Sequence, residues 1–86
     1  MEFEFNSTKS MSNLVKHGIS FNDAKKLWRD PKVTVARARG VVEPRWIAIA
    51  CIDGKHWSAV FTYRGERIRL ISARRARTKE IALYES

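Results

Sequence analysis

Two glycine-containing turn signals separate three strand-like runs, and they constrain the fold of this chain more than any other feature. Asp53-Gly54 and Gly65-Glu66 are both typical of two-residue hairpin turns. The runs at residues 46–52, 57–63 and 67–72 are rich in β-branched and aromatic side chains. The sequence therefore predicts three antiparallel strands joined by tight turns.

Helix signals lie on both sides of these strands. A first helix is predicted to begin at Asn6 or Ser7 and to end before Gly18, because glycine readily takes the left-handed conformation of a helix stop. Its apolar stripe consists of Met11, Leu14 and Val15. A second helix is predicted over residues 20–30 and a third over residues 75–84.

Short strand-like runs at residues 2–5 and 33–35 complete the pattern, and Gly40 suggests a further turn. The predicted order is β-α-α-β-β-β-β-α. This is an α+β domain in which an antiparallel sheet carries N-terminal helices and a C-terminal helix, all on one side. Residues 1–86 form a single domain with a thin core. No apolar run reaches the roughly 20 residues of a membrane span, so we expect a soluble cytoplasmic protein.

The charge of the chain is strongly unbalanced. Lysine and arginine number 17 against 9 acidic residues, which gives a net charge of +8. Such an excess indicates nucleic acid first, and then an acidic protein partner or an anionic membrane. Most of it comes from residues 64–79, where arginine outnumbers lysine. Because a planar guanidinium can bind phosphate through two hydrogen bonds, this segment favours a phosphate-binding surface.

The turn at Gly65-Glu66 also predicts which side chains share a face of the sheet. The predicted opposed pairs are Arg64 with Arg67, Thr62 with Arg69, Val60 with Ile71 and Ser58 with Ala73. Directly opposed residues lie on the same face, so three arginines gather there. Their repulsion is destabilising, and Glu66 offsets only part of it. Two interpretations stay open: a phosphate-binding face, or solvated strand ends.

Two sequence blocks carry a family resemblance. Residues 16–24, KHGISFNDA, resemble the KHG-hydrophobic-S-F-x-x-A signature of BrnT-type toxins. Residues 63–76, YRGERIRLISARRA, resemble the R-G-x-x-I-R-I-I-S-A-R-x-A block of the same family. Further positions that fit are Lys9, Asn13, Glu43, Arg45, Glu80 and Tyr84. The chain departs from the family at Phe5-Asn6, where tryptophan and aspartate are common, and at Ala50, a frequent glycine.

The resemblance implies a small ribonuclease toxin of a type II toxin–antitoxin pair, with a RelE-like fold. It also implies a BrnA-like antitoxin that carries a ribbon-helix-helix DNA-binding domain, in an assembly of two toxins and two antitoxins. The toxin would meet promoter DNA only indirectly, through that antitoxin. RNA cleavage is expected to block translation and growth, without a cofactor and without a membrane partner.

RNA cleavage without a metal ion needs a base for the ribose 2′-hydroxyl, cations for the phosphorane and an acid for the leaving 5′-oxygen. The predicted catalytic residues are His17, Arg64, Arg69, Arg74 and Tyr84, and the predicted RNA- or phosphate-binding residues are Lys16, Arg67 and Arg75. His17 lies at a predicted helix C-terminus, where the helix dipole favours the cation that a general acid requires. Glu43 is a candidate base. No metal site is expected, because the two histidines lack carboxylates at metal-ligand spacing.

Each of these assignments has an alternative. His17 can simply cap helix carbonyls, Tyr84 can pack on the sheet, and Glu43 can form a salt bridge with a neighbouring arginine. Arg74 and Arg75 can contact acidic residues of the antitoxin instead of RNA. For the whole chain, the alternative to a ribonuclease is a non-enzymatic module that binds nucleic acid or docks the antitoxin. Charge alone does not separate these functions, since all of them use it.

Overall fold

A computed structural model describes residues 1–39 and 44–86 and has the predicted order of elements. The helices are α1 (Ser7–His17), α2 (Phe21–Ala24) and α3 (Thr78–Glu85), and a 3-10 helix at Lys25–Arg29 continues α2. The strands are β1 (Glu2–Glu4), β2 (Thr34–Arg37), β3 (Trp46–Ile52), β4 (Lys55–Arg64) and β5 (Arg67–Arg75). The turn predicted at Gly40 lies outside the described residues. No helix in these two ranges is long and apolar enough to cross a membrane.

The five strands form a mixed sheet in the order β1-β5-β4-β3-β2. Strands β2 to β5 are antiparallel neighbours, which the two turn signals predict for β3, β4 and β5, whereas β1 runs parallel to β5. Most of the chain lies between β1 and β5, so no tight turn fixes their relative direction. The predicted α+β class is confirmed, and β1 adds one parallel pair to the sheet.

The apolar core lies on one face of the sheet, beneath α2 and the 3-10 helix. Phe21 and Leu27 from these helices are fully buried together with Phe61 of β4. We call this the core face, and the opposite one the outer face. On the outer face, the Ser58 hydroxyl donates a hydrogen bond to the Glu80 carboxylate of α3 at 2.9 Å. Successive side chains of a strand point to opposite faces, so Ser58 and Phe61, three residues apart in β4, lie on opposite faces. Because α3 contacts Ser58, it packs on the outer face, and the prediction that all helices share one side is wrong.

A β-bulge changes the register of the β4–β5 hairpin halfway along it. The predicted pairs of Arg64 with Arg67 and of Thr62 with Arg69 are confirmed. Beyond them Ile71 is an extra residue in β5, so the predicted pairs of Val60 with Ile71 and of Ser58 with Ala73 are wrong. The observed pairs are Val60 with Ser72, Ala59 with Ala73, Ser58 with Arg74 and Trp57 with Arg75. The bulge therefore puts Arg74 on the outer face and Arg75 on the core face.

Polar side chains, rather than the apolar stripe, hold α1 against the sheet. Ser10 and Asn13 are buried, whereas Met11 and Val15 are 62% and 85% exposed. The Asn13 amide donates to the carbonyl of Ala73 at 2.9 Å and accepts from its N–H at 3.1 Å. Strand β1 pairs only with the first part of β5, so no strand of the sheet bonds to Ala73 on this side. The Asn13 side chain makes there the two hydrogen bonds that a neighbouring strand would make. The stripe consequently faces solvent, on the side of α1 opposite its anchor.

Candidate functional site

One carboxylate gathers three arginines on the outer face. Oxygens of Glu4 lie 3.3 Å from Arg69 Nη1, 3.6 Å from Arg67 Nη1 and 3.8 Å from Arg64 Nε. We call these four residues the Glu4 cluster. Three guanidinium charges against one carboxylate leave an excess of two positive charges. The predicted gathering of arginines is present, with a counter-ion that the sequence reasoning missed.

The alternation of side chains along β1 places the Glu4 carboxylate on the outer face. Phe3 points to the core face, where its ring lies 5.0 Å from that of Trp28. Its neighbour Glu4 must then point to the outer face, and the parallel pairing sets Glu4 opposite Arg69. The sequence contained the alternation of charged and aromatic residues at 2–5, but no turn signal links β1 to β5. The partner of Glu4 could therefore not be read from the sequence.

Two adjoining cavities form a groove beside the Glu4 cluster. One, of about 330 Å³, lies against Arg64 and Arg69. The other, of about 220 Å³, lies against Lys16 and His17 at the C-terminal end of α1. Lys9 and Ile71, the extra residue of the bulge, line both cavities. We call the two cavities together the cationic groove. None of the described residues that line it is acidic, so it is suited to bind an anion with several charges.

The end of α1 brings a titratable group to this groove. His17 is the last residue of α1, and Gly18 stops the helix at a φ of 79°, as the sequence predicted. His17 is exposed, so it can reach a bound molecule. Lys9 on the same helix completes the cationic wall; the sequence marked it only as a position that fits the family pattern.

Arg74 is engaged with a carboxylate of this chain. Its Nη1 and Nη2 each donate to an oxygen of Glu80 at 2.8 Å, a bidentate pair. Glu80 also accepts from the Ser58 hydroxyl and from the backbone N–H of Arg77, both at 2.9 Å. These bonds, above all the one to Arg74, lower the pKa of Glu80 to about 2, while the same bond raises the pKa of Arg74. We call Arg74 and Glu80 the Glu80 pair.

Tyr84 of α3 is likewise engaged with residues of this chain. Its hydroxyl donates to the Asp30 carboxylate, which raises the pKa of Tyr84 and lowers that of Asp30. Asp30 additionally accepts from the backbone N–H of Cys51 at 3.0 Å. The ring of His56 packs edge-on against Tyr84 at 5.4 Å, and His56 bonds to Glu85 at 2.8 Å. These contacts tie α3 to the sheet.

The structure thus separates the predicted site residues into two groups. Lys16, His17, Arg64 and Arg69 line the cationic groove, and Arg67 joins them through the Glu4 cluster. Arg74, Arg75 and Tyr84 are not among the residues that line it. Arg75 instead lies over the Trp57 ring at 5.4 Å and donates to the carbonyl of His56. The candidate base Glu43 lies outside the described residues.

Metal-ligating side chains do not cluster in the part of the chain that the structure describes. No group of three or more His, Cys, Asp or Glu residues there could hold a metal ion. The charged groups that do converge in the groove are cationic, and cations of this kind bind phosphate rather than metals.

A family model described as a ribonuclease toxin, BrnT, of type II toxin–antitoxin systems matches residues 5–80. This range includes every described residue that lines the cationic groove, and also the Glu80 pair. Glu4 and Tyr84 lie just outside the matched range. Comparison with curated proteins finds no match.

Proposed function

The chain belongs to the BrnT family of ribonuclease toxins of type II toxin–antitoxin systems, and from this premise we propose that it cleaves RNA in the cationic groove without a metal ion. The observation that carries the proposal is the groove itself. Lys9, Lys16, Arg64 and Arg69 converge there with His17, and none of the described residues that line the groove is acidic. An RNA backbone supplies phosphates at a spacing that successive cations along a groove can follow.

The reaction begins with attack of a ribose 2′-hydroxyl on the adjacent phosphorus. A base takes the hydroxyl proton, and Glu43 is our candidate for it. The guanidinium groups of Arg64 and Arg69 stabilise the charge that builds up on the phosphorane. His17 gives a proton to the leaving 5′-oxygen. The products are a 2′,3′-cyclic phosphate and a 5′-hydroxyl, and both protons are accounted for.

The remaining predicted residues take supporting roles in this proposal. Lys16 and Arg67 lie where they can bind flanking phosphates. The contacts of Arg74 and Tyr84 with Glu80 and Asp30 support a role in holding α3 on the sheet rather than in proton transfer. Arg75, on the core face, is available to the antitoxin. Cleavage of cellular RNA in the cytoplasm would then block translation and growth.

The test of this function is incubation of the purified protein with RNA in EDTA, followed by analysis of the product ends. Cleavage that persists in EDTA and leaves a cyclic or 3′-phosphate is the expected result. Cleavage that disappears in EDTA and returns with Mg²⁺ would contradict the proposed mechanism. RNA that is bound but never cut would favour the non-enzymatic module, for which charge suffices.

As a type II toxin, the protein pairs with an antitoxin. We propose a BrnA-like partner with a ribbon-helix-helix domain, in a 2:2 assembly that contacts promoter DNA through the antitoxin alone. An acidic, partly disordered antitoxin segment would cover residues 64–75, where arginines are dense. Because such a partner binds only the folded toxin, it should raise the melting temperature and stop cleavage. An antitoxin that changes neither would overturn this assignment.

A further inference from the structure

We propose that Glu4 is a positioning residue for the cleavage reaction, because its carboxylate holds the guanidinium groups that receive the scissile phosphate. The inference rests on the proposed function and extends it to a residue outside the matched range of the family. No role in the reaction was predicted for Glu4 from the sequence. Its assignment comes from the contacts on the outer face alone.

The cluster is built with the carboxylate at its base. The Glu4 side chain is 24% exposed, whereas those of Arg64, Arg67 and Arg69 are 61%, 56% and 37% exposed. Arg64 and Arg69 line the cationic groove, but Glu4 does not. The carboxylate therefore contacts Arg64 and Arg69 without itself lining the groove, and both arginines remain in the groove wall. A substrate in the groove would meet the arginines and not Glu4.

Such support matters because exposed arginines are flexible. A free arginine side chain populates many rotamers, and fixing one of them costs conformational entropy at the moment of reaction. Contacts of 3.3 to 3.8 Å to one carboxylate restrict three arginines before the substrate arrives. Positioned charges stabilise a transition state better than mobile ones, because they need not reorganise during the reaction.

The same carboxylate works against substrate binding. It carries the charge of a phosphate and lies among the groups that would bind one, so it weakens the attraction of the cluster for RNA. Removing that charge should strengthen RNA binding while it loosens the arginines. A positioning role therefore predicts that removing the charge lowers kcat without raising KM. A purely structural role predicts no such separation of the two parameters.

The decisive variant is Glu4→Gln, which keeps the shape and removes the charge. We expect kcat for RNA cleavage in EDTA to fall about 10- to 100-fold, since a displacement of about 1 Å at a reacting group can cost that much. KM should stay the same or fall by about two- to fivefold, as expected when one repulsive charge is lost. Exposed ion pairs contribute little to stability, so the melting temperature should change little.

The chain offers a matched control in Glu66→Gln. Glu66 lies on the exposed turn between Arg64 and Arg67, and it forms no ion pair with any described residue. The substitution changes the local charge by the same amount without touching the cluster contacts. We expect the KM of this variant to fall as in Glu4→Gln, and its kcat to stay at the wild-type value.

A second measurement does not depend on cleavage. NMR order parameters of the Arg64 and Arg69 Nε–H groups should fall in Glu4→Gln and stay unchanged in Glu66→Gln. Unchanged order at both arginines would overturn the proposal, even if the wild-type protein proved unable to cut RNA. Failure of the proposed function is seen separately, as absence of cleavage by the wild type.

A third variant tests whether Glu4 is needed for the stability of β1. Glu4→Asp keeps the charge but withdraws the carboxylate by one methylene group, so its kcat should lie between wild type and Glu4→Gln, with KM unchanged. If both variants melted at much lower temperature, Glu4 would be a structural residue of β1 and the positioning role would be wrong. Equal kcat for all variants would have the same consequence.

Discussion

Two carboxylates organise the arginines of the outer face, one at each end of β5, and they do so in opposite ways. Glu80 serves a single arginine through two hydrogen bonds of 2.8 Å and is saturated by two further donors. Glu4 serves three arginines at 3.3 to 3.8 Å and leaves their charge in excess. The side chain of Glu80 is 16% exposed, while the arginines around Glu4 are up to 61% exposed.

A structural arginine can be distinguished in this way from one that is free to bind a ligand. An arginine whose fork is filled by one carboxylate has few hydrogen-bond donors left for a ligand. An arginine that shares one carboxylate with two others, at 3.3 to 3.8 Å, keeps most of its donors. The Glu80 pair thus contributes to stability, and the Glu4 cluster contributes an unsatisfied cationic surface.

The largest effect is expected at the Glu4 cluster. Arg64→Ala or Arg69→Ala should lower kcat/KM for RNA cleavage by about 10²–10³-fold, which corresponds to roughly 3–4 kcal/mol of transition-state stabilisation. Melting temperatures should stay near the wild-type value, because Arg64 is exposed and Arg69 is only half-buried. Lysine at either position should be intermediate, since it keeps the charge without the planar fork.

Arg77→Ala is the control for these variants, because only the backbone N–H of Arg77 contacts Glu80. It should remain fully active and toxic when expression is induced in growing cells. If the substitutions at 64 and 69 left both cleavage and growth arrest intact, the cluster would not be the phosphate site. Loss of activity together with melting temperature would make these arginines structural.

Glu80→Gln should reverse the pattern. It leaves the Arg74 guanidinium without its counter-ion in a partly buried position, so the free energy of unfolding should fall by about 1–3 kcal/mol. Cleavage per folded molecule should not change, because the pair does not line the groove. Chemical denaturation and single-turnover cleavage measure the two quantities separately. A stable but inactive variant would place Glu80 in the reaction and remove the contrast.

Acid should weaken the Glu80 pair. Its hydrogen bonds lower the pKa of Glu80 from 4.5 to about 2, so the folded state binds this proton more weakly than the unfolded chain. The resulting stability is present above pH 4.5 and is lost as the pH falls toward 2. We expect about 1–2 kcal/mol from this group after allowance for solvent screening. Denaturation curves between pH 6 and 2 should show this loss in the wild type but not in Glu80→Gln.

The smallest effect is expected from Tyr84→Phe. This change removes the hydroxyl that donates to Asp30 and leaves the ring against His56. We expect a slight fall in melting temperature and an unchanged rate of RNA cleavage. A strong loss of cleavage with an unchanged melting temperature would instead return Tyr84 to the catalytic residues, as the sequence analysis predicted.

The sequence predicted those parts of the molecule that are fixed by local chemistry. Gly65 and the strands around it specified the pairing of Arg64 with Arg67, because a tight turn sets the register of its hairpin. The groove residues Lys16 and His17 lie next to Gly18, and the helix stop predicted at that glycine marked His17 as the end of α1. In both places the determining residues are neighbours in the chain.

Other features depend on contacts between distant residues, and these the sequence did not predict. Nothing around Ile71 marks the bulge that moves Arg74 to the outer face. The stripe of α1 has the spacing of a buried helix face, yet Asn13 and Ser10 are the side that the sheet holds. Likewise, the arginine partner of Glu4 depends on a parallel pairing that no turn determines.

The amide of Asn13 protects an open strand edge from pairing with a second molecule in a crowded solution. An open strand edge can template the addition of a strand from another molecule, the first step of edge-to-edge aggregation. At Ala73 both backbone groups are already bonded to a side chain of the same chain. A second molecule cannot add to β5 at this point without first breaking both bonds. One asparagine thus closes the exposed end of the strand that carries the arginines, and does so without a sixth strand.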